Sequence, residues 1–102
     1  MDAPPIFPVD RYVVETLLPD LVGHDRRASA FLVYMVILAA ASEGRVALSH
    51  AQLAERTGLS RRSVQTAVAL LRRRQLLEVS RRGPTDTSEY RPLAPWRRRG
   101  AW

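Results

Sequence analysis

The chain has 102 residues, a net charge of +6 at neutral pH and no cysteine. Its length suits one compact domain, and the lack of cysteine excludes disulfides and thiolate metal sites. The first ten residues do not resemble a signal peptide, and the longest apolar run, residues 30–41, is too short to span a bilayer, so we expect a cytoplasmic protein without a membrane segment.

The charge is distributed unevenly along the chain. Residues 1–51 contain 4 arginines and 6 acidic residues, a balance of −2, whereas residues 52–102 contain 12 arginines and 4 acidic residues, a balance of +8. A basic half joined to a weakly acidic half indicates that one face of the protein meets a polyanion.

The N-terminal region begins with an extended arm, because three prolines fall within residues 1–8. Asp10 is expected to cap a short helix that ends near Leu18. Pro19 either ends this helix or starts a further turn, and residues 23–25 are expected to form a loop. The apolar side chains of this region are Val13, Val14, Leu17, Leu18, Leu21 and Val22.

A long helix is predicted from Arg26 to Glu43, ended by Gly44. It is apolar on nearly every side, which is typical of a helix that is central or shared with a partner. Residues 45–48 are short, apolar and extended.

The most informative segment is SHAQLAERTGLSRRSVQTAVALLRRR, residues 49–74. Ser49 and Gln52 have the spacing of a capping box, which predicts a helix to about Thr57. Gly58 can adopt the positive φ of a tight turn, and Ser60 caps a second helix over residues 61–74. Two short helices across a tight turn indicate a helix-turn-helix.

Two strands are predicted after these helices, over residues 76–80 and 89–93, with a turn-rich loop between them. Residues 94–102 are expected to form a basic tail, whose arginines either grip phosphates or solubilise a disordered segment. Trp96 and Trp102 flank this run of arginines and are expected to dock onto the body or onto a second subunit.

The segments LSHAQLAERTGLSRRSVQTAVALL and LLEVSRRG…EYRPL resemble the winged helix-turn-helix domains of bacterial transcriptional regulators and of phage or plasmid replication proteins. The resemblance covers residues 26–93. It implies a mainly α fold with a small antiparallel sheet, a recognition helix at 61–74 and a wing at 81–88. Residues 1–25 then form an N-terminal arm and helical extension, and residues 94–102 form the tail.

Two residues depart from that family pattern. Gln75 stands where a glycine usually ends the recognition helix, so the helix is expected to end differently. Pro92 lies in the central strand and cannot donate a ladder hydrogen bond, so that strand is expected to end near Arg91.

The candidate DNA contacts follow from the placement of polar side chains on these elements. Arginine matches guanine and glutamine matches adenine in the major groove, and the alternative is an ordinary solvated helix face. Ser49 and Gln52 either hold a phosphate at a helix N-terminus or serve only as caps. The full predicted set is Ser49, Gln52, Ser60, Arg61, Arg62, Gln65, Thr66, Arg73, Arg81 and Arg82.

Catalysis has no support in the sequence. His24 and His50 are isolated, and the five glycines are scattered singly, so we expect no enzyme, no metal and no cofactor. The sequence favours a duplex DNA-binding transcriptional regulator. A replication or plasmid-maintenance protein and a winged-helix protein-interaction module remain as alternatives.

A homodimer through residues 10–43 is also expected, because the long helix and the N-terminal region offer more apolar surface than one small domain needs. The alternative is intramolecular: the N-terminal helix folds over the long helix as an extra layer of core.

Overall fold

A computed structural model describes residues 5–41, 44–81 and 87–99 of the chain, without the side chains of residues 81, 98 and 99. Three α-helices follow a π-helical N-terminal segment: α1 (Ala28–Ala40), α2 (His50–Thr57) and α3 (Arg61–Arg73). The strands are β1 (Val46–Leu48), β2 (Leu77–Arg81) and β3 (Ser88–Pro92), and a 3₁₀ helix at Pro95–Arg99 follows them. This is a mainly α fold with a small antiparallel sheet, as predicted.

The N-terminal extension, residues 11–24, is helical through Pro19 rather than ending there. It contains two π-helical segments, Val13–Leu17 and Asp20–His24. A proline inside a helix lacks an N–H and displaces the preceding carbonyl, and wider i→i+5 turns are one way to accommodate it. The predicted loop at residues 23–25 is therefore wrong for its first two residues.

α1 is shorter than predicted at both ends. Arg26 has a left-handed backbone, with φ of 55°, and so cannot belong to the helix. At the other end Ala41 is extended, with ψ of 123°, and Gly44 takes its positive φ of 87° in the following turn. The predicted helix limits of Arg26 and Glu43 are therefore wrong, and Glu43 itself lies outside the described residues.

The helix-turn-helix has the predicted local structure. The Ser49 hydroxyl accepts a hydrogen bond from the Gln52 amide at 3.1 Å, and the Gln52 side chain accepts one from the Ser49 amide at 2.8 Å. Gly58 ends α2 with φ of 80°, and Ser60 caps α3 by accepting a bond from the Ser63 amide at 3.0 Å. These i to i+3 contacts confirm both predicted caps.

α3 ends through a left-handed residue even though that residue is not glycine. Gln75 has φ of 58°. Its amide donates to the Arg72 carbonyl at 3.0 Å, and the Leu76 amide donates to the Leu71 carbonyl at 2.9 Å. These two bonds form a Schellman motif, so the expectation that glutamine would end this helix differently is wrong.

The sheet has the order β1-β3-β2, so β3 is central. Val79 and Val46 both face Tyr90, and Pro92 pairs with Leu77. Strand β3 thus includes Pro92, one residue beyond the predicted end. The proline is tolerated because β1 pairs only with residues 88–90, so its missing N–H lies past the end of that neighbour.

One hydrophobic core joins the extension, the helices and the sheet. Val13, Leu17 and Leu21 of the extension are buried with Ala30, Val33, Tyr34 and Ile37 of α1. The intramolecular alternative therefore holds for the inner face of the extension. Among the described residues of the extension and α1, three large apolar side chains stay exposed: Val14, Val22 and Leu32.

The C-terminal segment folds back onto the N-terminal one. Trp96 stacks on Tyr12 with ring centroids 4.6 Å apart, and its indole N–H donates to Asp10 at 2.8 Å. The described contacts of the Asp10 carboxylate are with Trp96 and Arg97, and only its backbone carbonyl bonds to the following helix, at the Val13 amide. The prediction that the Asp10 side chain caps this helix is therefore wrong. Residues 95–99 are a 3₁₀ helix rather than a free tail, and Trp102 lies outside the described residues.

Candidate nucleic-acid interface

Helix α3 divides cleanly into a buried face and an exposed face. Val64, Ala67, Val68 and Leu71 are buried. On the other side Arg61, Arg62, Gln65 and Arg73 are exposed, and Thr66 is half-buried. Five of the predicted site residues are therefore brought together along one helix face. The Thr66 hydroxyl donates to the Arg62 carbonyl at 3.1 Å, which leaves its oxygen able to accept.

The three predicted site residues with cap spacing serve as caps in the structure. Ser49 and Gln52 bond to each other's backbone, and Ser60 holds the first turn of α3. Their main effect on the interface is to start α2 and α3 at defined residues. Any contact of these side chains with a phosphate remains a prediction.

The two predicted wing residues lie at the edge of the described chain. Arg81 is the last residue of β2 and pairs through its backbone with Ser88. Its side chain, and the whole of Arg82, lie outside the described residues. The two strands of the hairpin, β2 and β3, are antiparallel neighbours in the sheet. Residues 82–86, which make up most of the predicted wing, lie outside the described residues.

Several of the arginines that contribute to the net charge form ion pairs with carboxylates of the same chain. Arg74 binds Asp20 and Asp25 of the extension with its two terminal nitrogens. Arg97 binds Asp10, and Arg91 binds Glu78 at 2.9 Å on the outer sheet face. The pairing of Arg74 and Arg97 with carboxylates of residues 1–51 therefore offsets part of the +8 balance. Among the described side chains, α3 carries four exposed arginines: Arg61, Arg62, Arg72 and Arg73.

The acidic partners of these arginines have lowered pKa values. Hydrogen bonds from Arg97 and then from Trp96 lower the pKa of Asp10 to about 2. A hydrogen bond with His24, together with the charge of Arg74, lowers the pKa of Asp25 below its ordinary value. Both carboxylates are ionised at neutral pH and hold the extension to the helix-turn-helix and to the C-terminal segment.

A groove of about 350 Å³ runs between α3 and the β2–β3 hairpin. Gln65, Ala69 and Arg72 line its helix side, and His50 of α2 lines it as well. The remaining lining residues are Val68, Val79, Ser88 and Tyr90. We call this the α3–hairpin groove.

Sequence reasoning did not select His50 as a site residue. For Arg72 it left two alternatives open, a contact with phosphate or a favourable charge at the C-terminal end of the helix dipole. Helical spacing places Arg72 on the flank of α3, close to Gln65. Only the packing of the hairpin against that flank shows that this side of the helix faces a groove. In the sequence, Arg72 could be linked to the site only through its helical spacing from Gln65, which places both residues on the same flank of α3.

Taken together, the capped pair α2–α3, the small sheet and the adjacent hairpin define a winged helix-turn-helix. Residues 27–77 match the model of the family described as "Helix-turn-helix domain", and the chain belongs to that family. The match includes α1, β1, α2 and α3, while the extension and most of the hairpin lie outside it.

Comparison with curated proteins and with solved structures found no significant match. Within the ranges that the structure describes, no helix has the length and apolar character needed to cross a membrane. The same ranges contain no cluster of three or more metal-ligating side chains.

Proposed function

We propose that this protein binds duplex DNA with α3 in the major groove and acts as a small, non-enzymatic transcriptional regulator. The observation that carries the proposal is the exposed face of α3, where Arg62, Gln65 and Arg73 project from a helix whose opposite face is buried. Membership in a helix-turn-helix family supports this reading.

The charges favour nucleic acid over a protein partner. A protein-interaction face would be apolar and weakly charged, particularly at its centre. The exposed face of α3 instead carries arginines with glutamine and half-buried threonine between them. Arginine and glutamine are the side chains that read guanine and adenine by paired hydrogen bonds.

The experiment is a comparison of a selected duplex with random duplexes of equal length. After selection of a preferred site, Arg62→Ala should weaken binding to that site by about 5–150-fold, the equivalent of about 1–3 kcal/mol. Binding to random DNA should fall much less. Equal loss on both duplexes would show that Arg62 contacts only phosphates, and the absence of any preferred site would contradict a regulator.

A role in transcription further requires that the preferred sites lie in front of genes. Genome-wide mapping of bound sites in cells should place them upstream of transcription starts. Sites confined to a replication origin or a plasmid-maintenance locus would favour the alternative DNA-binding role.

We also propose that the protein binds as a homodimer through its N-terminal half. The support is the exposed apolar side chains Val14, Val22 and Leu32, which are 54%, 40% and 44% exposed. The charge of residues 1–51 is only −2, so two copies can approach while their basic halves stay free. Light scattering at micromolar concentration should give the mass of a dimer, and Leu32→Ser should lower the measured mass. A monomer mass for the unaltered chain would contradict the proposed dimer.

A further inference from the structure

A cleft of about 390 Å³ opens between the N-terminal arm, the end of α1 and the C-terminal segment. Most of the residues that line it are apolar, among them Phe7, Pro8, Leu38, Ala39 and Trp96. We call this the arm cleft. Most of its lining lies outside residues 27–77, which match the helix-turn-helix family, so the cleft is built from segments that are particular to this chain.

The two charged residues of the arm cleft, Asp10 and Arg97, neutralise each other. Arg97 donates to one carboxylate oxygen of Asp10 from Nε at 2.6 Å and to the other from a terminal nitrogen. The indole N–H of Trp96 donates to the same carboxylate at 2.8 Å. An ionic ligand would find no net charge here, whereas an apolar occupant would leave this ion pair intact.

The arm itself carries an apolar side chain without a place in its own chain. Ile6 is 93% exposed, more than any other large apolar side chain that the structure describes. It directly precedes Phe7 and Pro8, which line the arm cleft, but it does not line the cleft itself. The rings of Pro5 and Pro8 restrict the path of the arm, so the side chain of Ile6 cannot easily turn back, and a restricted segment loses little entropy on binding.

The arm cleft is continuous with the surface proposed for the homodimer. Ala39 lines the cleft, and Leu32 lies two helical turns earlier on the same exposed side of α1. Met35 and Val36 lie between them and are half-buried, and α1 has no charged residue. A second copy that packs on Leu32 therefore meets an apolar surface that leads along α1 to the arm cleft.

Resting on the proposed homodimer, we infer that the arm cleft of each chain receives the Ile6 side chain of a second copy. The two copies exchange arms across a two-fold axis, so each dimer contains two identical arm–cleft contacts. Each contact removes an exposed isoleucine from water and fills an apolar cleft. The arm is thereby the element that holds one copy to the other.

The first test changes the arm. Ile6→Ser should raise the dissociation constant of the dimer, measured by sedimentation equilibrium, by about 100-fold, which is about tenfold for each of the two contacts. Ile6→Leu keeps the apolar volume and should leave the constant within about threefold of the unaltered chain. Thermal unfolding of the monomer at low concentration should be the same for both variants, because Ile6 is exposed there.

The second test asks whether the arm of one chain enters the cleft of another. Ile6→Glu and Ala39→Lys should each weaken the dimer, and an equimolar mixture of the two variants should recover it. In that mixed dimer one contact joins opposite charges and the other contact is unaltered. Ala69→Lys is the matched control, an exposed alanine on α3 outside the arm cleft, and it should neither weaken the dimer nor restore dimerisation of Ile6→Glu.

The outcomes separate this inference from the proposals on which it rests. A monomer mass for the unaltered chain would contradict the homodimer and the arm exchange together. A dimer that is weakened by Leu32→Ser but not by Ile6→Ser would overturn the arm exchange alone. If Ala39→Lys weakened the dimer and its mixture with Ile6→Glu did not recover it, another part of the partner would fill the cleft, which would also overturn the exchange. None of these measurements contains DNA, so their results are independent of duplex binding.

Discussion

Gln75 holds a left-handed backbone, with φ of 58°, that costs a residue with a Cβ about 1–2 kcal/mol. Glycine avoids this strain but loses more entropy on folding, by about 0.5–1 kcal/mol. We therefore expect Gln75→Gly to raise the free energy of unfolding by about 0.5–1 kcal/mol in urea denaturation.

The control for this change is Gln65→Gly, another exposed glutamine but one inside α3. There glycine should lower the free energy of unfolding by about 1 kcal/mol, because the backbone is already α-helical. If Gln75→Gly also lowered the free energy of unfolding, the left-handed backbone at Gln75 would not be a source of strain.

Two buried tyrosines differ in what their hydroxyls contact. The Tyr34 hydroxyl donates to the Leu93 carbonyl at 3.0 Å, and burial raises its pKa to about 12. The Tyr90 hydroxyl is also buried, and it makes no hydrogen bond of good geometry with the described residues. Burial raises its pKa, and a weak interaction with the Ser88 side chain offsets part of that rise. An unpaired buried hydroxyl costs about 1–3 kcal/mol.

We expect Tyr34→Phe to lose about 1 kcal/mol of unfolding free energy, because the partly buried Leu93 carbonyl loses its donor. Tyr90→Phe should leave the stability unchanged or raise it. Calorimetry of the pair measures the difference directly, and a larger loss for Tyr90→Phe than for Tyr34→Phe would show that its hydroxyl has a partner.

At the scale of elements, Arg74 joins the end of α3 to the extension. Its side chain is 33% exposed and contacts Asp20 and Asp25, which are 36% and 15% exposed. An ion pair at the surface contributes about 0–1 kcal/mol, and a buried charged hydrogen bond about 1.5–3 kcal/mol. The contacts of Arg74 lie between these limits.

Arg74→Gln should therefore lower the free energy of unfolding by about 1–2 kcal/mol. Arg73→Gln makes the same chemical change one residue earlier, at an exposed position without a described partner, and should have almost no effect. Equal stability of the two variants in denaturant titrations would mean that the extension is not held by this contact.

The second contact between elements joins Asp10 to Trp96 and Arg97. Because the folded pKa of Asp10 is about 2, below its ordinary 3.8, ionised Asp10 stabilises the folded protein. This contribution is complete above about pH 5 and disappears as the pH falls through the folded pKa. We expect Asp10→Asn to lose about 1–2 kcal/mol at pH 7.

The difference between the unaltered chain and Asp10→Asn should shrink steadily from pH 5 to about pH 2. Unfolding free energies measured across that range test this, with Glu15→Gln as the control at an exposed carboxylate. A difference that is constant with pH would show that Asp10 acts through packing and not through its charge.

Across the whole molecule, local signals were sufficient for the helix-turn-helix. The Ser49–Gln52 box, Gly58 and Ser60 act within three or four residues, so their spacing in the sequence reports the structure directly. The buried face of α3 was likewise predictable from the helical spacing of its apolar residues. The same local rules led to a wrong role for Asp10, whose partner Trp96 lies 86 residues away.

Two of the features that sequence reasoning missed depend on packing between residues far apart in the chain. The pairing of Arg74 with Asp20 spans 54 residues, and the α3–hairpin groove exists only because β2 and β3 pack beside α3. Pro19 was expected either to end its helix or to start a further turn, and wider π-helical turns continue the helix through it. Gln75 was expected to end α3 differently from a glycine, but it adopts the left-handed backbone of the usual Schellman ending.

The central claim is that the exposed face of α3 binds duplex DNA. An anisotropy titration of a labelled duplex at several salt concentrations tests it most directly. Neutralisation of about four to six phosphates predicts that log K falls against log salt with a slope of about −4 to −5. A flat salt dependence, or no binding at low salt, would contradict the claim.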